Sequence, residues 1–299
     1  MNILITGGSG GLGKHLSDLL LSKGHSVSFL SRKPGHDNRI KSYTWDVKNG
    51  IIDEHSIDGV DTVIHLAGAG IAGKRWTTKR KKELVDSRVK SIELVYSLLI
   101  KKPHNVKTVI SASAVGYYSN RGDELMTETS TPATDFIAKC CVEWEAAVDE
   151  GEKLNLRVVK FRTGVVLDKK AGALATIAIP VKLYIGSAIG SGKQWISWIH
   201  WEDVVNMYLF AIDNQTLKGT FNMVAPNPVT NAQLTRALAK QLKKPLWAPK
   251  VPAFLLKILL GEMSSVVLAS TKVACDKITD AGFNFKYTNL QGSLAEIYG

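Results

Sequence analysis

Cysteine is scarce in this chain. Cys140, Cys141 and Cys275 are the only three in 299 residues. That is too few for a disulfide framework or a thiolate metal cluster, so no metal is expected and a reducing, cytoplasmic setting is. Long apolar runs are missing as well. The most apolar late stretch, residues 251–260, is short and contains Lys257, so it cannot span a bilayer and no membrane partner is expected. No basic segment followed by an apolar run and a cleavage site opens the chain, so a secretory signal is not expected either. Repeats and low-complexity linkers are absent, which argues against solenoids and tethered modules. Hydrophobic residues nevertheless make up 45%, enough for one large core and a smaller lobe.

The first thirteen residues are the most informative. Met1-Asn-Ile-Leu-Ile-Thr6 reads as a short apolar strand, and Gly7-Gly8-Ser9-Gly10-Gly11-Leu12-Gly13 follows at once. Residues 14–23 then carry Leu16, Leu19, Leu20 and Leu21 with helical spacing. Strand, glycine loop and helix in that order form a dinucleotide-binding element. One glycine makes the turn, the next lets backbone approach a pyrophosphate, and the third lets helix and strand pack closely. The pyrophosphate then faces the free N–H groups and the positive end of the helix dipole. The spacing fits either Gly8-x-Gly10-x-x-Gly13 or Gly7-x-x-Gly10-x-x-Gly13. The second is the form seen in extended short-chain dehydrogenases/reductases.

Strands are predicted at residues 26–31, 61–67, 108–111, 156–161 and 219–224. Helices are predicted at 78–100, 136–149, 201–212 and 230–242, with Val142, Trp144 and Ala146 toward the buried side of the second of these. Alternating strands and helices imply an α/β fold, a Rossmann-type doubly wound parallel sheet with right-handed crossovers. After residue 170 the pattern changes. This places a nucleotide-binding domain at 1–170, with later strands returning to it from 196–230, and a smaller substrate lobe at 171–299.

Charge is unbalanced: 38 Lys and Arg against 27 Asp and Glu, a net of +11. The densest run, Lys79-Arg80-Lys81-Lys82, has no nucleic-acid module around it and no basic–aromatic interleaving. It reads as a solvated helix face that helps to attract an anionic cofactor, and nucleic acid is not expected as a partner. About 20 residues beyond the glycines, NAD sites carry an acid that binds the ribose hydroxyls. Here that place holds Ser31-Arg32-Lys33. Arg32 offers a planar fork for a 2′-phosphate and Ser31 a hydroxyl donor, so NADP(H) is expected over NAD(H). A basic surface turn at Pro34-Gly35 is the competing reading. Leu66-Ala67-Gly68 supplies small residues where the chain must pass close to the adenosine ribose and pyrophosphate.

Taken together these stretches resemble the epimerase-family group of atypical extended short-chain dehydrogenases/reductases, which carry a small C-terminal domain and are sometimes labelled cell-division inhibitors. The resemblance also rests on Arg75-Trp76, Ser87-Arg88, Ser111-Ala-Ser-Ala-Val-Gly-Tyr-Tyr118, Arg162-Thr-Gly-Val-Val-Leu167 and Gly190-Ser-Gly-Lys-Gln-Trp195. Trp198-Ile-His-Trp-Glu-Asp203, Val224-Ala-Pro-Asn-Pro-Val-Thr-Asn231 and Gly282-Phe-Asn-Phe285 complete it. It implies nucleotide contacts from the glycine loop (Gly7, Ser9, Gly10, Gly11, Leu12, Gly13), Ser31, Arg32, Leu66, Ala67, Gly68, Glu83, Arg88 and Ser111, with Val165 lining the nicotinamide side. Trp195 and His200 are expected in the substrate cleft. A homodimer is compatible with the family.

Ordinary members of the superfamily use Tyr-x-x-x-Lys, in which lysine lowers the tyrosine pKa and tyrosine moves the proton. The corresponding segment here is Thr134-Asp-Phe-Ile-Ala-Lys-Cys-Cys-Val-Glu-Trp144. Phe136 replaces the tyrosine and Cys140 the lysine; Lys139 is about 100° around the helix and cannot substitute. The candidates that remain for proton transfer are Ser113 and Tyr117. The chain reads as an oxidoreductase or epimerase acting on a small polar or sugar-like substrate. A non-catalytic NADP(H)-binding sensor or interaction protein is the alternative.

Overall fold

The computed structural model describes residues 1–33 and 37–299; Pro34 and Gly35 therefore lie outside the described residues. In chain order the elements begin β1 (Asn2–Thr6), α1 (Gly11–Ser22), β2 (Ser26–Ser31), β3 (Lys41–Asp46), β4 (Ile51–Ile52), β5 (Thr62–His65), α2 (Thr78–Lys101), β6 (Thr108–Ala114), β7 (Leu125–Met126), α3 (Phe136–Asp149), β8 (Arg157–Thr163) and β9 (Val165–Leu167). They continue α4 (Gly172–Lys182), β10 (Trp195–Ile196), β11 (Trp198–His200), α5 (Trp201–Asp213), β12 (Gly219–Met223), β13 (Val229–Thr230), α6 (Asn231–Gln241), α7 (Ala253–Leu260), α8 (Ser264–Leu268), β14 (Lys272–Val273), α9 (Asp276–Asp280) and α10 (Leu290–Tyr298).

The main sheet runs β12-β8-β6-β5-β1-β2-β3-β4, parallel throughout except for β4, which pairs antiparallel with β3. The expected Rossmann-type doubly wound sheet is borne out. Its strand order reverses between β1 and β5, and ligands of such sheets sit in the crevice outside the carboxyl ends of the strands at this reversal.

Strand residues alternate between two cores because successive side chains point to opposite faces. Ile3, Ile5, Ile64, Ile110, Val159 and Phe161 join α1 and α5 in one cluster. Leu4, Val63, Val109 and Val158 join α2 and α3 in the other. Helix α5 packs on α1, and β12 pairs with β8 in register Phe221 to Phe161. The lobe has its own core, in which Leu174, Trp198, Leu234, Leu238 and Leu294 tie α4, α6 and α10 together.

Two expectations for α3 need correction. Its buried side is Ile137, Cys140, Cys141, Trp144, Ala147 and Val148, while Val142 and Ala146 are exposed. The stripe that fits both α2 and the sheet follows i, i+3, i+4 and i+7 from Ile137, and Val142 and Ala146 fall outside it.

A buried polar chain braces the ends of β6, β8 and β12. Arg162 donates to both oxygens of Glu145 at 2.8 Å, and its Nη1 donates to the Tyr118 hydroxyl at 2.9 Å. Tyr118 in turn donates to Asn222 Oδ1 at 2.7 Å. Burial pushes the Tyr118 hydroxyl up to about 12, so it stays protonated and remains a donor. Truncating one side of this ion pair leaves a charge buried without its partner. Glu145→Ala should lower unfolding stability by about 3–5 kcal/mol in urea titrations, whereas truncating the exposed partner in the Lys153–Glu150 pair should cost less than about 1 kcal/mol.

Candidate functional site

The glycine loop forms a cradle at the reversal point. Gly7 has φ +74°, and a side chain there would lie 2.9 Å from the Leu66–Ala67 peptide. A Cβ on Gly13 would lie 2.4 Å from the Gly8 carbonyl oxygen. Gly10 differs: a Cβ there meets only the Gly7 carbonyl oxygen, at 3.3 Å, so open space lies above it. Gly10 is also the N-cap of α1 and has no side chain to cap it. The first N–H groups of the helix therefore face that space free of a side-chain acceptor. Helix α1 begins at Gly11, three residues earlier than the periodicity predicts, because Gly11, Leu12 and Gly13 form its first turn.

Around the cradle lie several other predicted residues. Ser31 ends β2 half-buried and Arg32 is exposed beyond it. The 66–68 turn is held by Thr6, whose carbonyl accepts from Leu66 N at 3.0 Å and whose hydroxyl accepts from Ala67 N at 3.2 Å. Ser87 accepts from Ala69 N at 2.9 Å. Val165 opens β9 and pairs with Trp198 of β11. Leu12 and Leu66 are half-buried and pack against the core. Segment 168–172 closes over the loop from the other side: His15 Nε2 meets Asp168 at 3.2 Å, and a Cβ on Gly11 would touch that of Ala171 at 3.3 Å.

Arg88 is not a solvated helix arginine. It is only 8% exposed and lies beneath Gly68, whose Cβ would approach its guanidinium carbon at 3.2 Å. It donates to the carbonyls of Leu84 at 2.8 Å and Ala69 at 3.1 Å and rests 5.1 Å from the Trp144 ring centre. Among the described residues no carboxylate pairs with it. The signal was present in the sequence: Leu84, Arg88, Ser91, Ile92 and Val95 occupy one helical stripe. Glu83, by contrast, faces solvent and pairs with Arg80 at 2.7 Å.

His65 was not anticipated as a site residue. Its Nε2 is 2.7 Å from Ser91 Oγ, its Nδ1 is 3.1 Å from Ser111 Oγ, and the Trp144 indole N–H points to Nδ1 at 3.4 Å. A histidine in a strand buried on both faces must find such partners. The expectation that Ser111 contacts a cofactor is corrected here. Ser111 is fully buried, and its hydroxyl is taken up by His65 and by the Ala112 carbonyl.

Ser113 is also committed: its hydroxyl donates to Glu145 at 2.6 Å, and the residue is buried. As a catalytic hydroxyl it is therefore set aside. Ser111 and Ser113 share a strand face, and that face points into α2 and α3. Tyr117 is half-buried with the Arg162 guanidinium 3.4 Å above its ring.

Phe136 lines a cleft of about 570 Å³ together with Trp76, Ser119, Asn120, Asp135, Glu262 and Ser264. Trp76 packs edge-on to Phe136 at 5.2 Å, and the Lys81 ammonium lies 5.1 Å from the same ring and pairs with Glu262. Cys140 is buried, and burial raises its thiol pKa, so it is no nucleophile.

Neither Trp195 nor His200 lines this cleft. Trp195 donates its indole N–H to Asp123 at 2.7 Å, outside the lining. His200 is fully buried as the N-cap of α5. It accepts from Glu202 N at 3.2 Å, so its Nε2 carries the proton toward Glu296 at 2.8 Å. Burial lowers its pKa, against the pull of Glu296. Its role is to join α5 to α10.

An open glycine cradle at the switch point of a parallel sheet defines a dinucleotide-binding protein of the short-chain dehydrogenase/reductase type. The chain belongs to the NAD dependent epimerase/dehydratase family, which matches residues 3–223, and a domain of unknown function, DUF1731, matches residues 251–297. It is 37% identical over 299 residues to epimerase family protein YfhF of Bacillus subtilis (strain 168), covering 99% of this chain and 98% of the relative. Among solved structures it is similar to human epimerase family protein SDR39U1 (isoform 2) with NADPH, at 29% identity and TM-score 0.88, covering 100% of this chain and 99% of that one. It is similar too to a nucleoside-diphosphate sugar epimerase from Corynebacterium glutamicum, at 30% identity and TM-score 0.79, covering 100% of this chain but 58% of that one. The family resemblance drawn from the motifs is borne out.

His65 gives this region a pH signature. Burial, helped by the Arg88 charge, pushes its pKa from 6.5 down to about 3. Below pH 6.5 the unfolded chain takes up a proton that the folded chain refuses, so stability is full above 6.5 and falls as pH drops toward 3. Between pH 6.5 and 5.5 the parent should lose about 1 kcal/mol more stability than His65→Gln, which keeps polar partners but does not titrate. Urea melts of both proteins at the two pH values measure the difference; parallel losses would remove His65 from the acid response.

Proposed function

We propose that the protein is an NADP(H)-dependent oxidoreductase or epimerase acting on a small polar or sugar-like substrate in the cleft beside Phe136. The observation that carries this reading is the open space above Gly10 at the uncapped N-terminus of α1. Backbone N–H groups there would hold the pyrophosphate. Ser31 and Arg32 stand where a 2′-phosphate would lie, and no acid beside them opposes it. Gly68 lets the chain pass close to the adenosine side, with Arg88 fixing the turn from below through Ala69. NADP(H), when bound, supplies or accepts the hydride. The similarity to the human protein solved with NADPH supports the same reading.

The chain's own residues must then move the proton. Phe136 has no hydroxyl, Cys140 is buried, and Ser113 is bonded to Glu145. Tyr117 is the remaining hydroxyl of the predicted pair. The 115–117 turn packs on the first turns of α3, since a Cβ on Gly116 would touch Ile137 at 3.0 Å. Tyr117 therefore stands beside the helix start that carries Phe136. The second reading, an NADP(H)-binding sensor without chemistry, is favoured by one observation: Phe136 fills the usual proton carrier's place in the cleft wall.

NADPH should raise the melting temperature more than NADH does. Arg32→Ala should weaken NADPH by about 1–3 kcal/mol and leave NADH nearly unchanged. Gly10→Val should fold but lose the NADPH-induced shift, because its side chain fills the cradle. Equal affinities for the two nucleotides in the parent would sink the NADP(H) assignment. On a panel of carbonyl and sugar-nucleotide substrates, Tyr117→Phe should lower turnover by on the order of a hundredfold. Undiminished turnover would take Tyr117 out of the mechanism, and no parental turnover despite tight NADPH binding would favour the sensor.

A further inference from the structure

Helix α7 reverses the usual arrangement of a surface helix. Phe254, Leu255, Ile258 and Leu259 share one face by their i, i+1, i+4 and i+5 spacing, and all four are exposed, Phe254 and Ile258 at 65% each. The opposite face, Leu256 and Leu260, is half-buried. No residue of the helix is fully buried.

The apolar face does not stop at the helix. Leu246 and Trp247 are exposed just before it, Trp247 at 67%. Leu183 and Ile185, after α4, are exposed as well. The two segments lie side by side. Lys244 Nζ donates to the Tyr184 hydroxyl at 2.6 Å, Ser187 Oγ donates to the Pro249 carbonyl at 2.7 Å, and Gly190 N donates to the Val251 carbonyl at 2.8 Å. A contiguous patch of this kind on a protein surface marks an interaction site.

Its charge identifies the partner. Residues 214–261 contain seven Lys and Arg and no Asp or Glu. Exposed Lys243 and Lys250 alternate along the chain with Leu246, Trp247 and Phe254. A second copy of this chain would set lysine against lysine, since the acid that follows α7, Glu262, is already paired with Lys81, and interface cores are depleted in lysine. Aliphatic side chains and tryptophan among lysines suit the boundary of headgroups and acyl chains. No helix among the described residues is long and apolar enough to cross a membrane, so the face would lie on one. We infer that α7, the 243–250 segment and the 183–185 segment after α4 form a docking face for the surface of an anionic phospholipid bilayer. The apolar side chains enter the acyl boundary and the lysines meet the headgroups.

Flotation of the full chain with vesicles tests this. Binding should be strong to vesicles of phosphatidylcholine mixed with phosphatidylglycerol, weak to phosphatidylcholine alone, and should fall with salt. Lys243→Glu with Lys250→Glu should lower partitioning by at least about tenfold. Phe254→Ser with Ile258→Ser should also abolish most binding while leaving the melting temperature unchanged, because both side chains are already exposed. Trp247 emission should shift to the blue on anionic vesicles, a shift missing in Trp247→Phe. Three results would each overturn the inference. These are no binding to anionic vesicles at low salt, binding unaffected by the Phe254→Ser, Ile258→Ser pair, and a dimer in light scattering that the same pair converts to monomer.

Discussion

Backbone meets backbone at the glycine loop, and the architecture depends on that contact. Side chains are excluded at three positions by different partners: the Leu66–Ala67 peptide at Gly7, the Phe29 ring 2.3 Å away at Gly8, and the Gly8 carbonyl at Gly13. Together these seat α1 on β1, place β2 beside it through Phe29, and bring in the end of β5. The helix N-terminus is thereby aimed at the point where strand order reverses. Open space above Gly10 is the complement of those tight contacts. The loop is packed at Gly7, Gly8 and Gly13, while Gly10 leaves its outer side open for close approach of a phosphate.

What could be read from the sequence divides along a physical line. Features set by local chemistry were legible. The glycine loop needs Gly at its turn and contact positions, and the apolar strands with their intervening helices need only periodicity. Features set by partners far away in sequence were not. His200 stands among tryptophans in the chain, which suggested a cleft; in space it meets Glu296 and Tyr287 from the C-terminal segment. Ser111 and Ser113 end the strand that borders the cofactor side in this fold, but the pleat turns both hydroxyls toward α2 and α3. There His65 and Glu145, 46 and 32 residues away in the chain, receive them. Val142 and Ala146 were misplaced because apolar character alone does not fix which stripe of α3 meets two neighbours at once.

The exchange of Tyr-x-x-x-Lys for Phe136 and Cys140 is matched by changes around it. Arg88 is buried, its hydrogen-bond acceptors among the described residues are two backbone carbonyls, and its charge bears on the Cys140 thiol. A lysine at position 140 would place an ammonium near that guanidinium, in surroundings where burial already opposes the arginine's charge. Two cations without an acid between them destabilise a site of low polarity. Arg88 and a lysine at position 140 would therefore repel each other. The arginine that holds the Gly68 turn from below favours a thiol beside it over a second cation. Phe136 follows from the same constraint: without the neighbouring ammonium a tyrosine there would lack the group that lowers its pKa, and a phenyl ring packs against Trp76 without a hydroxyl to satisfy. Arg88, Phe136 and Cys140 are thus mutually compatible as they stand. Restoring tyrosine and lysine alone would set the new pair against the arginine that this chain uses to shape its nucleotide side.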